Sequence, residues 1–125
     1  MYFHKFQIQE GDTYHNIFYY SKNKNKLNEL TDFEFNDDII GYVEFYTRDD
    51  SDEANITSIS VKPNYRGQGI AKKMLEKLIN DLKQMNFHSI SVEDMSDNYR
   101  KSHNLYTKLG FKYVHEYGPE MYKIL

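Results

Sequence analysis

Hydrophobic and polar positions along the 125 residues change period several times. Near the start, Tyr2, His4, Phe6 and Ile8 alternate with Phe3, Lys5 and Gln7. That two-residue period predicts strands over 2–9 and 14–20, with a turn at Gly11-Asp12. Lys22-Asn23-Lys24-Asn25-Lys26 is a polar run and reads as an exposed loop. Residues 26–32 fit either a short helix or the start of a strand. Phe33-Glu34-Phe35 alternates again, Asn36-Asp37-Asp38 turns, and 39–47 predicts the returning strand. A further strand is expected over 54–62, and it contains a fault in phase. Ile59 and Val61 are two apart, whereas Ile56 and Ile59 are three apart. One extra residue near Thr57-Ser58, a β-bulge, restores the alternation; burial of both strand faces is the alternative.

Beyond Pro63 the period becomes helical. Ile70, Met74, Leu75, Leu78, Ile79, Leu82 and Met85 define one face, and Lys72, Lys73, Glu76, Lys77, Asp81 and Lys83 the other. Asn86 is a stop signal. A strand over 88–93 carries Ile90 and Val92. A second helix is expected over 98–109, closed by Gly110. Strands over 111–117 and 120–125 follow, split by Gly118-Pro119. Strands, helix, strand, helix, strands describe an α/β sandwich of mixed sheet and helices.

Composition narrows the classes. A chain of 15.0 kDa suits one domain. No apolar run is long enough to span a bilayer, and the first residues lack the layout of a signal peptide, so no membrane partner and a cytoplasmic location are expected. Absent cysteines exclude disulfides, thiolate metal ligands and a Cys nucleophile. His4, His15, His88, His103 and His115 show no metal-site spacing, so no metal is expected and they read as structural or exposed. The net charge of −3 argues against nucleic acid, which favours a basic face. Acidic residues crowd the stretch from Glu29 to Glu53. They read mainly as solvated hairpin tips, with a rim that attracts a cationic acceptor as the functional alternative.

The segment with the most chemical content is Arg66-Gly67-Gln68-Gly69-Ile70-Ala71, between a strand and the strongest helix. A helix N-terminus presents unpaired N–H groups and partial positive charge. Gly67 and Gly69 let a phosphate come close, and Arg66 and Lys72 add full charges. A glycine-rich turn that merely starts a helix is the plain alternative. The segment has neither the Walker A ending nor the dinucleotide-fold glycine spacing.

With the preceding Val61-Lys62-Pro63-Asn64-Tyr65, this segment resembles the signature of the GNAT superfamily of acyl-CoA-dependent N-acetyltransferases. Arg66, Gly69 and Ala71 fill the fixed places of its Arg/Gln-x-x-Gly-x-Gly/Ala pattern. Leu105-Tyr106-Thr107-Lys108-Leu109-Gly110-Phe111 resembles the family's last-helix motif. Residues Phe35–Tyr42, with Ile39-Ile40-Gly41-Tyr42, resemble its hairpin before the cofactor strand. The order and spacing match over about 30–125.

The resemblance implies an α/β (α+β) fold with a GNAT-like mixed, mostly antiparallel sheet and helices on both faces. The family's two N-terminal helices are replaced here by a reduced, strand-rich N-terminus, and 1–125 is expected to form a single acetyltransferase domain. Acetyl-CoA is the implied acyl donor. Ile59, Ser60, Val61, Arg66, Gly67, Gln68, Gly69, Ile70, Ala71 and Lys72 are the implied cofactor-binding residues. Asn98 would join them after a one-residue loop shift, since Tyr99 stands at the family's usual Asn place. The strand ending at Val61 would splay from the strand over 88–93, and backbone groups of Ile59 and Val61 would pair with the pantetheine arm.

The implied reaction is direct attack of a primary amine on the thioester. A backbone N–H near Val61 would steady the oxyanion. Tyr106 matches the family's general acid; one more packed ring among twelve tyrosines is the alternative. An alkylammonium, with pKa of about 10.4, must lose a proton before attack. Asn55 stands where many relatives carry a Glu. Glu44 is therefore the first candidate base, Asp94 the second and a water chain the third. The acceptor is a small-molecule or protein amine, and a homodimer is one assembly the resemblance allows. A non-catalytic acyl-CoA-binding module of the same fold is the alternative function. A toxin acting on aminoacyl-tRNA is disfavoured by the acidic balance.

Overall fold

The computed structural model describes residues 1–25, 36–95, 100 and 104–125. Seven strands are seen: β1 (Tyr2–Glu10), β2 (Thr13–Ser21), β3 (Ile39–Arg48), β4 (Glu53–Val61), β5 (Ser89–Glu93), β6 (Lys112–Tyr113) and β7 (Glu120–Ile124). The helices are α1 (Ile70–Gln84) and α2 (Leu105–Lys108). The sheet order is β1-β2-β3-β4-β5-β7-β6. Every neighbouring pair is antiparallel except β4–β5, which is parallel. The fold is thus the expected mixed, mostly antiparallel sheet, and its N-terminal part is the expected strand pair. The anticipated alternation at 33–35 and the helix-or-strand at 26–32 lie outside the described residues.

The phase fault in β4 is a bulge. Val43 faces Ile59 and Glu44 faces Ser58, but Phe45 faces Ile56, which leaves Thr57 without a cross-strand partner. The Thr57 hydroxyl donates to the Glu44 carbonyl at 3.4 Å. The extra residue lets Ala54 and Ile56 on one side of it, and Ile59 and Val61 on the other, pack toward α1.

α1 docks by burial rather than by capping. Its cap position is Gly69, with no side-chain cap bond, while Ile70, Met74, Leu75, Leu78, Ile79 and Leu82 are buried. Each such side chain contributes about 1.5–3 kcal/mol, against about 1 kcal/mol for a good cap. Asp81 departs from the expected polar face: it is 9% exposed, turned toward β1. Lys5 Nζ lies 2.8 Å from its Oδ2, a charge contact without hydrogen-bond geometry. The hairpin β1–β2 thereby covers a position that would otherwise face water. Asn86 adopts the left-handed conformation that stops the helix.

Of the helix expected over 98–109, residues 98, 99 and 101–103 lie outside the described residues. Arg100 has φ of 58° and Asn104 is extended, and α2 begins at Leu105. The cause is local: the Asn104 side chain accepts the Thr107 N–H at 2.9 Å and fixes an N-cap there. The strand expected over 111–117 shrinks to β6, because Phe111 turns into the core against the Tyr106 ring. Side chains of α1 and α2 enter the same apolar cluster with Ala54, Ile56, Ile90, Val92 and Met121.

Where β3 crosses beneath α1, a Cβ on Gly41 would lie 2.9 Å from the Ser60 carbonyl oxygen and 3.2 Å from Met74 Cε. The carbonyl belongs to a paired strand and cannot move alone. Gly41→Ala is expected to lower stability by about 1–3 kcal/mol, read as a shift of the urea midpoint at unchanged slope.

Candidate functional site

The parallel pairing of β4 with β5 runs only from Glu53–Ser89 to Ile56–Val92. Past the bulge β4 continues to Val61 along β3, and no β5 partner accompanies it. The two strands part, and a cleft of about 280 Å³ opens between them. Ile56, Thr57, Ser58 and Ile59 form one wall, Val92, Glu93 and Met95 the other, and Tyr106 also lines it. The Lys62 N–H donates to Ile40 on β3 at 2.8 Å. Backbone direction alternates along a strand, so the N–H groups of Ile59 and Val61 point the opposite way, into the opening.

The end of β4 leads through a turn at Pro63–Tyr65 into the glycine loop. Gly67 and Gly69 both have φ of 77°, which disfavours any side chain, and a Cβ on either would meet nothing within 4 Å. Open space therefore lies over the N-terminus of a 15-residue helix with no acidic residue in its first turn. The space, the free N–H groups and the helix dipole suit phosphate oxygens. Arg66 Nε donates to the Val61 carbonyl at 2.9 Å, which ties the loop to the mouth of the cleft. Gln68 reaches the Asn64 carbonyl at 3.5 Å. Ile70 is buried, Ala71 half-buried, and Lys72 exposed beside Glu76 at 3.9 Å. Ser60 sits on β4 opposite Tyr42. Asn98 lies outside the described residues.

Tyr106 is 7% exposed, and its hydroxyl has no hydrogen-bond partner among the described residues. Burial, then the charge of Asp94, pushes its pKa up to about 12. The Asp94 carboxylate is 1% exposed and is held by Tyr113 Oη at 2.5 Å and Asn104 Nδ2 at 2.9 Å. Asp94 thus anchors the start of α2 to the end of β5. Its burial and bonds do not suit it to the role of second candidate base, because an acceptor amine cannot reach it.

Glu44 lies on the face away from α1, opposite Ser58 at the bulge. Its carboxylate is 2.9 Å from His15 Nε2, and that imidazole stacks on Tyr46 at 4.8 Å. His15 was legible only as a lone histidine, since the β2–β3 register that brings it to Glu44 leaves no local motif. Asn55, at the place of the usual glutamate, donates to Ser91 Oγ at 2.7 Å, and Ser91 in turn donates to Glu53 at 3.0 Å.

The family model described as Acetyltransferase (GNAT) family matches residues 2–111. The chain belongs to the GNAT acetyltransferase family. No curated protein matches its sequence. Solved GNAT structures share the fold. A GNAT-family acetyltransferase from Staphylococcus aureus Mu50 is 19% identical, with a TM-score of 0.64, over 89% of this chain and 68% of that one. The ribosomal-protein-S18-alanine N-acetyltransferase of Escherichia coli is 22% identical, TM-score 0.56, over 93% and 68%. The E. coli GNAT N-acetyltransferase YhbS, solved in complex with CoA, is 19% identical, TM-score 0.54, over 70% and 52%. No helix among the described residues is long and apolar enough to cross a membrane.

The burial of Tyr106 sets a pH dependence. Its folded pKa stands above the ordinary 10, so its contribution to stability is whole below about pH 10 and is lost as pH rises toward about 12. The parent protein is expected to lose stability more steeply over that window than Tyr106→Phe, as read from urea midpoints at pH 8, 10 and 11.

Proposed function

We propose that residues 1–125 act as one acetyltransferase domain that moves the acetyl group of acetyl-CoA onto a primary amine by direct attack. The observation that carries this reading is the parting of β4 from β5, with the Ile59 and Val61 N–H groups directed into the opening beside a glycine-opened helix N-terminus. Backbone of Ile59–Val61 holds the pantetheine arm as an added strand. Amides of Gly67–Lys72 receive the pyrophosphate, with the Arg66 and Lys72 side chains at the rim. Asn98, by family resemblance, completes the cofactor contacts.

In the transfer, the amine nitrogen forms a bond to the acetyl carbon while the carbon–sulfur bond breaks. The Val61 N–H steadies the oxygen charge. Glu44, held by His15, takes the proton that the ammonium must lose. Tyr106 stands at the sulfur side. With its pKa near 12 and a thiol near about 8.5, full proton delivery is uphill. The hydroxyl therefore acts chiefly by donating a hydrogen bond to the developing thiolate. The donor acts as substrate and no metal is required. The reaction accounts for a cytoplasmic setting, where acetyl-CoA is made available, and it is compatible with a monomer or a homodimer.

A binding module without catalysis is the second reading, favoured by the engagement of Asn55 with Ser91 where a base is usual. Thiol release from acetyl-CoA in the presence of amines separates the two.

Acetyl-CoA is expected to raise the melting temperature by mass action, and Gly69→Glu to abolish the rise, because the carboxylate occupies the phosphate position. An undiminished rise in a Gly69→Glu protein with a native circular dichroism spectrum defeats the loop assignment. Tyr106→Phe and Glu44→Gln are each expected to lower kcat, by about 10²-fold, at unchanged acetyl-CoA affinity. Parent-like turnover in either variant removes that residue from the mechanism.

A further inference from the structure

The face of the sheet away from α1 carries a groove that leads into the cleft. Residues paired across strands share a face. The pairs Glu53–Ser89, Asn55–Ser91, Ser91–Tyr122 and Glu93–Glu120 therefore set Glu53, Glu93 and Glu120 on that face together. All three are exposed and line a groove of about 340 Å³ with Asn55, Val114 and Tyr122. A neighbouring hollow of about 320 Å³ shares Asn55 and Glu93 with this groove, and Thr57 and Met95 with the cleft. Glu93 borders all three spaces.

Two features mark the path as incomplete without a ligand. Glu93 and Glu120 are direct cross-strand partners of like charge, an arrangement that costs stability unless a cation lies between. Glu120 has His115 at 3.4 Å and Glu53 has the Ser91 hydroxyl, while Glu93 has no side-chain partner among the described residues. At the other end, Tyr106, 7% exposed, lines the cleft, and its hydroxyl has no hydrogen-bond partner among the described residues. Among the described residues no three carboxylate or imidazole groups lie close enough to hold a metal ion, so the charges are spread along the path. Val114 and Tyr122 supply apolar wall in the groove, and Met95, 79% exposed, supplies it in the hollow and the cleft. Separated anions with apolar surface between them match separated ammonium groups joined by methylenes.

We infer that this path binds an aliphatic polyamine, with one terminal nitrogen in the cleft beside Tyr106 and a distal ammonium among Glu53, Glu93 and Glu120. The inference rests on the acetyl-transfer reading and names its acceptor class. The terminal ammonium gives one proton to the base and solvent before attack, then forms the amide bond as the carbon–sulfur bond breaks and releases its second proton, which balances the one that sulfur takes up. The sulfur leaves as CoA thiol after taking up a proton, and the distal ammonium is unchanged.

The test compares spermidine, propylamine and a lysine-rich peptide as acceptors for the parent and for Glu53→Gln/Glu120→Gln, two groove residues that do not line the cleft. Both sites are exposed, so the double variant keeps the fold, as circular dichroism checks. The parent is expected to prefer spermidine. The double variant raises the KM for spermidine by roughly tenfold, leaves its kcat and the propylamine KM within about twofold, and keeps the acetyl-CoA thermal shift. An unchanged spermidine KM, or a parent that favours propylamine or the peptide, overturns the inference. Calorimetric titration of spermidine into each protein without acetyl-CoA reads the groove by itself. Binding that is present in the parent and weakened in the variant supports it even if acetyl transfer fails, whereas equal or absent binding refutes it. Loss of the parent's acetyl-CoA thermal shift counts against the acetyl-transfer reading alone.

Discussion

One extra residue governs the architecture of the site. Thr57 has no partner on β3, so β4 turns as it passes that point while its apolar side chains still reach α1. Without the bulge, either Ala54 and Ile56 or Ile59 and Val61 would face water. With it, β4 keeps its hold on β3 and abandons β5 after Ile56. The freed N–H groups of Ile59 and Val61 need water or a ligand as partner, while the Val61 carbonyl is taken by Arg66 Nε. The site is thus a gap in hydrogen bonding that the packing on α1 holds open.

Burial defines the second half of the site. Asp94 is closed off and bonded to Tyr113 and Asn104, and the same Asn104 caps α2. That arrangement fixes where Tyr106 stands and keeps its hydroxyl protonated through the neutral range. The Asp94 carboxylate thus ties α2 to β5, while Glu44, on the opposite face and bonded to His15, stays within reach of solvent.

Much of this was legible from the chain. The step from Ile56 to Ile59 disclosed the bulge, because period-two alternation leaves few ways to reconcile a three-residue spacing. The helical repeat from Ile70 to Leu82 and the glycines before it disclosed α1 and its open N-terminus. Other features depended on tertiary contacts. Asp81 sits on a polar stripe in the sequence but is covered by β1 through Lys5. The start of α2 at Leu105 follows from one side-chain bond at Asn104. The Glu44–His15 contact joins residues 29 positions apart, and the facing pair Glu93–Glu120 joins two strands that no local pattern aligns.

The short parallel stretch has a mechanical consequence. Strands β1 to β4 form one antiparallel meander, and β5, β7 and β6 a second antiparallel group. Among the described residues the sheet joins them from Glu53–Ser89 to Ile56–Val92 alone. That short seam is the single ladder between the two groups, and the cleft is its unsewn end. A small rocking of one group against the other about those pairs changes the width of the cleft while leaving the antiparallel ladders of each group intact. The fold therefore concentrates its compliance at the place where a ligand would bridge the two parts.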